Sequence, residues 1–271
     1  MVLGSGGVTG VAWETGVLAA LSAGGIGLDR AALLVGTSAG AVVGAQLAAG
    51  EPIERLFERQ LTPPDGELPA RIGPAVLLRW GWALARHRDP VRARARIGRY
   101  ALAARTVDES VRRAVIAGRL PVDRWPAGPA LRVTAVDAES GRFVVFGADS
   151  GVSLVDAVAA SCAVPMVWPA MSVRGRRFVD GGVRSAANAD LADGHDPVLV
   201  VAPLGIGLAA QVRRLRRSAR VVALRPDRAA RAAIGRNVLD PARRAAAARA
   251  GWAQGVAARA EVAAIWGGRS G

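Results

Sequence analysis

Gly36-Thr37-Ser38-Ala39-Gly40 sets one serine between two glycines at the spacing G-x-S-x-G. In this pattern a strand turns into a helix so tightly that the outer positions need glycine, and the serine is thrust up at the helix N-terminus. The chemistry implied is nucleophilic attack on an acyl carbonyl, where the helix dipole favours the negative charge that develops. The same residues also read as a plain small-residue turn, so their meaning depends on context.

A nucleophilic serine needs a base. The chain contains His87, among arginines, and His195, in Asp193-Gly194-His195-Asp196-Pro197. A triad through His195 is one reading. Asp180 is the better candidate: in Phe178-Val179-Asp180-Gly181-Gly182 a carboxylate closes an apolar strand, an unfavourable place for it without a partner. Gly181 and Gly182 let another segment approach it closely. The plain alternative is a turn aspartate that caps a loop.

A third feature is Gly4-Ser5-Gly6-Gly7-Val8-Thr9-Gly10, between an apolar run and a helical stretch. Successive backbone N–H groups before a helix can hold an anion. A dinucleotide fingerprint is the rival reading. Counted from Gly4, however, its third glycine place holds Thr9, and the next strand ends in Gly36-Thr37-Ser38 rather than in an acid. As an oxyanion hole the turn belongs beside the nucleophile, and adjacent parallel strands would bring it there.

The elements that must position these residues follow from pattern. Strands are expected at Met1–Leu3, Leu33–Val35, Val198–Ala202 and Val221–Leu224. Hairpins are expected over Leu131–Asp137 with Arg142–Phe146, and over Met171–Asp180 with its turn at Arg174-Gly175. Helices are expected from about Val11 to Ala23, Ala39 to Ala49, Ser153 to Ala163 and Asp240 to Trp266. Residues 51–129 carry dense charge and helical periodicity, and read as a helical cap insertion. The alternation predicts an α/β fold with a mostly parallel central sheet flanked by helices, in a single domain over 1–271. The first strand is short enough to expect further residues ahead of Met1, and no signal peptide is recognised.

These ordered motifs, with their flanks, resemble the patatin-like phospholipases. Ala160-Ser161-Cys162-Ala163-Val164-Pro165 is similar to the family's Ala-Ser-x-Ala-x-Pro segment. Arg176 to Val183 resembles its aspartate strand, and Asn188-Ala189-Asp190 follows as in bacterial members; Val133-Thr134-Ala135 also fits. The resemblance covers most of the chain and is least informative over Pro52–Pro129. It implies a three-layer fold and a Ser38–Asp180 dyad without histidine. It further implies oxyanion N–H groups from Gly6, Gly7 and Val8, motif glycines at Gly10, Gly36, Gly40, Gly181 and Gly182, and no metal or cofactor. The substrate implied is a lipid acyl ester. The chain departs from the family at Ser5, where glycine is usual, and at Thr9, often basic. Neither change removes a backbone donor, but both leave open an inactive lipid-binding protein that retains the fold.

Composition bounds the partners. The chain has 271 residues, 51% of them hydrophobic, a net charge of +14 and not one lysine. Arginine richness reads either as genome composition or as attraction to an anionic surface. At 4% aromatic residues there is little for base stacking, so no nucleic acid is expected. Cys162 is the only cysteine, which excludes an internal disulfide and gives no reason to expect an oxidising compartment. The expected location is cytoplasmic, with peripheral contact at an anionic membrane. Val76-Leu77-Leu78-Arg79-Trp80-Gly81-Trp82-Ala83-Leu84, running into arginines, suits an interface or, more plainly, a cap helix with its tryptophans on the core. Ala31–Gly50 is uncharged with glycines at spacing four; a membrane span is its minority reading, and strand, turn and helix the favoured one. Oligomeric state is not legible.

Overall fold

The computed structural model describes residues 1–63 and 66–266. Positions 64–65 of the expected cap and the chain beyond 266 lie outside the described residues. The sheet is built from β1 (Val2–Leu3), β2 (Leu33–Gly36), β3 (Ala130–Asp137), β4 (Phe143–Phe146), β5 (Met171–Val173), β6 (Arg176–Asp180), β7 (Val198–Val201) and β8 (Val221–Leu224). Its order is β5-β6-β3-β2-β1-β7-β8, with β4 hydrogen-bonded to β3. The run from β3 to β8 is parallel, whereas β4, β6 and β5 join antiparallel. The sheet is therefore mostly parallel with an antiparallel edge, as the strand and hairpin patterns predict.

Alternate residues along each strand serve opposite layers. Leu3, Leu34, Leu199 and Val201 pack with the helices α1 (Gly7–Ala23), α2 (Ala39–Ala48), α7 (Leu154–Ser161) and α10 (Arg244–Trp266). Val2, Val35, Val198 and Val200 face α8 (Leu208–Leu215) on the other side. This gives the three layers. The Ala- and Gly-rich composition has a direct use: α1 and α10 lie so close that a Cβ on Gly16 would stand 2.1 Å from the Ala248 carbonyl oxygen.

The cap contains α3 (Ile53–Leu61), α4 (Pro74–Arg86), α5 (Pro90–Leu102) and α6 (Glu109–Ala117). Asp89 caps α5 by accepting the Val91 N–H at 2.8 Å, and Ser153 caps α7 by accepting that of Asp156. Expectation and structure differ at the first helix, which starts at Gly7 rather than about Val11, so much of the glycine-rich turn is already its first turn. The final helix begins at Arg244, after a short 3-10 turn at Pro241–Arg243. The span reading of Ala31–Gly50 is replaced by β2, a turn and α2. Among the described residues no helix is long and apolar enough to cross a membrane.

Candidate active site

β1 and β2 are adjacent and parallel, so both of their C-terminal turns emerge at one sheet edge. The Gly40 N–H donates to the Gly4 carbonyl at 3.0 Å, and the Thr37 N–H to Leu3 at 3.1 Å, tying the serine turn to the glycine turn. The approach admits only glycine at position 40: a Cβ there would sit 2.1 Å from the Leu3 carbonyl oxygen. Gly36 occupies a similarly tight place against Ala41, and Gly10 a looser one, where a Cβ would stand 3.3 Å from Pro203.

Ser38 caps α2 with φ 55° and ψ −111°, a conformation that non-glycine residues rarely adopt. Its own side chain makes no capping bond, which leaves Oγ free. Its N–H donates to Ser161 Oγ at 2.9 Å and its carbonyl accepts from Cys162 Sγ at 3.3 Å, so the backbone is held from α7 and the turn after it. Burial pushes the Cys162 thiol up to about 12, which makes it a neutral packing group and not a nucleophile.

Asp180 ends β6 and is 5% exposed. Its N–H donates to Ala163 at 3.0 Å, and its Oδ1 accepts the Gly182 N–H at 2.7 Å. Burial pushes its carboxyl up to about 6. Against that, the neighbouring Ser38 hydroxyl, the Gly182 N–H and the charge of Arg112 each hold the carboxyl down. Gly181 lies on Thr134, where a Cβ would meet Oγ1 at 2.2 Å. Gly182 faces Ser5.

Gly7 begins α1 with φ +60° and backs onto the Val238 carbonyl. The N–H groups of Gly6, Gly7 and Val8 have no backbone acceptor among the described residues, as expected where a helix starts. Thr9, in contrast, gives both its N–H and its hydroxyl to Val238, at 3.2 and 3.1 Å. Ser5 is buried and its Oγ is without a partner among the described residues.

Ser38, Gly7 and Val8 line one cavity with Val11, Val42, Leu68, Arg112, Cys162 and Trp168. Gly6 and Asp180 are not among the residues of its wall. His195 is exposed in its loop and His87 belongs to the cap; neither lines this cavity, so the histidine triad finds no support.

Residues the sequence did not single out as a set hold the strand ends together. Asn188 Nδ2 donates to Thr37 Oγ1 at 3.1 Å, Thr134 Oγ1 at 3.3 Å and the Gly181 carbonyl at 3.3 Å, and Thr134 Oγ1 donates to Thr37 Oγ1 at 2.8 Å. Asn188 and Thr134 each lie in segments carrying the family resemblance, which was the available signal. Ser161 could be found the same way. Arg112 and Trp168 carried no signal, because α6 meets the cavity only in three dimensions.

A sequence profile described as "Patatin-like phospholipase" matches residues 1–193. The chain belongs to the patatin-like phospholipase family. Membership supports a lipid hydrolase activity and a lipid substrate. Among solved structures, the chain is similar to VipD from Legionella pneumophila, at 11% identity and a TM-score of 0.48 over 95% of this chain and 66% of that one. It is also similar to the type III effector protein ExoU, at 17% identity and a TM-score of 0.41 over 96% of this chain and 52% of that one. The chain thus spans less than two thirds of either structure. No curated protein matches it.

Proposed function

We propose that the protein is a serine lipid acyl hydrolase of the phospholipase A, lysophospholipase or esterase type, working through a Ser38–Asp180 dyad and an acyl-enzyme. The observation that carries this reading is the serine at a strained turn, its hydroxyl close enough to a buried carboxylate to lower that group's pKa, beside helix N-terminal N–H groups without backbone acceptors among the described residues. Ser38 Oγ attacks the ester carbonyl while its proton passes to Asp180. The N–H groups of Gly6, Gly7 and Val8 receive the oxyanion. Asp180 returns the proton to the leaving alcohol, leaving an acyl ester on Ser38. Water then attacks that ester and gives its proton to Asp180, which passes it to Ser38 Oγ as the acyl–Oγ bond breaks and the fatty acid leaves. Thr9 takes the place of a charged residue by pinning the turn to Val238, which favours turnover over an inactive lipid-binding role.

The whole chain is read as one domain in this scheme, cytoplasmic and peripheral at membranes. Support for membrane contact comes from α4, where Leu77, Leu78, Trp82 and Leu84 are 55%, 75%, 48% and 57% exposed. Arg79, Arg86 and Arg88 accompany them. An exposed apolar run set among arginines suits insertion between anionic headgroups. Trp80 is the tryptophan of α4 that turns inward, half-buried.

The test is labelling with a fluorophosphonate. The adduct is expected on Ser38, and slowed at least tenfold in Asp180→Asn. A folded wild-type protein that takes no label refutes the assignment. For the membrane part, flotation on anionic vesicles is expected to fall with salt; binding indifferent to charge and salt counts against it.

A further inference from the structure

Within the cavity that holds Ser38, one charged group has no ion-pair partner among the described residues. Arg112 projects from α6 and is 4% exposed. Its guanidinium lies 4.1 Å from the centroid of the Trp168 ring, which supports one face. Among the described residues no carboxylate comes within 4.0 Å of it and no hydrogen-bond acceptor meets it; its buried Nε is unsatisfied. The neighbouring Arg119 differs, since its guanidinium is paired with Glu67. Glu67 and, less strongly, Asp180 are the carboxylates whose charge Arg112 feels at longer range, but Glu67 is paired with Arg119 and Asp180 accepts the Gly182 N–H. A buried guanidinium without a counter-charge is unfavourable in the empty protein and becomes favourable when a ligand brings the anion.

The surroundings indicate which anion. Arg119 lines the same cavity as Ser38 and Arg112, with its guanidinium paired to Glu67. Beyond Arg119 a second cavity continues from the shared residues Val8, Val11 and Val42. Its wall includes Gln46, Arg59, Gln60, Arg119 and Arg244 with Glu67, a polar lining of three arginines to one glutamate. A planar fork backed by a second cation matches the several oxygens of a phosphate. The glycine-rich turn itself offers no cation, because its basic place is Thr9.

We propose that Arg112 is the charge-reading residue of this site: it binds the phosphate of an acyl ester whose carbonyl lies at Ser38, and makes the enzyme prefer phosphorylated over neutral lipids. This rests on the hydrolase reading above. The ester enters with its phosphate on Arg112 and its remaining headgroup toward the cavity beyond Arg119. Arg112 is then a specificity residue supplied by the cap and not by the catalytic turns.

The test compares kcat/KM for a 1-acylglycerol 3-phosphate and the 1-acylglycerol of the same chain length in matched neutral detergent. Wild type is expected to prefer the phosphate at least tenfold, Arg112→Gln to bring the ratio near one, and Arg112→Lys to fall between. A wild-type ratio near one, or a ratio unchanged in Arg112→Gln, overturns the proposal while leaving the hydrolase intact. Should Arg112→Gln not fold, competition by glycerol 3-phosphate against neutral-ester hydrolysis in wild type decides: competitive inhibition supports the site and its absence refutes it. Calorimetry with glycerol 3-phosphate and with inorganic phosphate needs no turnover, so it reads Arg112 even if Ser38 proves inert. Loss of glycerol phosphate binding in the variant supports the site. Tight binding of inorganic phosphate with none of glycerol phosphate identifies a free-phosphate site instead, and refutes the lipid role.

Discussion

The sheet edge around Ser38 and the helix α4 use glycine and apolar residues in opposite ways. At the edge, glycines stand where no other residue fits, with Gly40 pressed on the Leu3 carbonyl and Gly181 on Thr134. Val2, Leu3, Leu34 and Val35 of β1 and β2 are almost wholly buried. On α4, Gly81 has nothing within 4 Å of where a Cβ would stand, and Leu78 is 75% exposed. The edge is over-determined by contacts inside the chain. The helix leaves apolar surface unmatched, which is what a site for an outside partner looks like. The contrast separates residues kept for geometry from residues kept for encounter.

The largest expected effects break the edge chemically without unfolding it. Ser38→Ala and Asp180→Asn should each lower ester turnover by roughly a thousandfold or more, with melting curves near wild type. Turnover that survives either change dissolves the claim that the edge is built for this chemistry. Next comes geometry. Gly40→Ala should destabilise by about 3 kcal/mol or more, read by urea denaturation, because the added carbon meets backbone and not a movable side chain. Wild-type stability in that variant removes the distinction between the two regions.

The helix offers the converse experiment. Leu78→Asp should weaken anionic vesicle binding about tenfold and leave unfolding free energy within about 0.5 kcal/mol of wild type. A large loss of stability instead makes α4 part of the core.

The pH dependence sharpens the edge further. With the Asp180 carboxyl raised to about 6, kcat/KM should climb about tenfold between pH 5 and 7 as the base ionises. Stability should move the other way. A folded pKa above the unfolded one means the native state holds its proton longer, so this contribution is complete below about 4 and lost as pH rises through 6. Asp180→Asn should flatten that slope, which a denaturation series across pH would reveal. The smallest effect is Gly81→Ala, expected to stabilise by about 0.5–1 kcal/mol, since an exposed helical glycine costs backbone entropy and fills no need visible in its surroundings.

Much of this was legible in the sequence. The strand runs, the turn at Arg174-Gly175 and the start of a helix at Ser153 rest on short-range rules, and the family resemblance carried the order of the motifs. The start of α1 was misread because Gly6-Gly7 looks like loop. Only the backing of Gly7 on Val238, more than two hundred residues along the chain, fixes it there as the first helical residue. Arg112 was invisible for a related reason. An arginine among arginines on an amphipathic helix reads as solvated, and its burial depends on Trp168, which arrives from another segment. Trp82 was read more plainly as core and turned out to face water, because α4 rests its Ala83 face on the protein.

The strain at Ser38 bears on the choice of residue there. Glycine would occupy φ 55° and ψ −111° without penalty, and the flanks of that turn are glycine already. Serine there therefore carries a backbone cost that glycine would not, and only the hydroxyl-bearing side chain distinguishes the two residues at that turn.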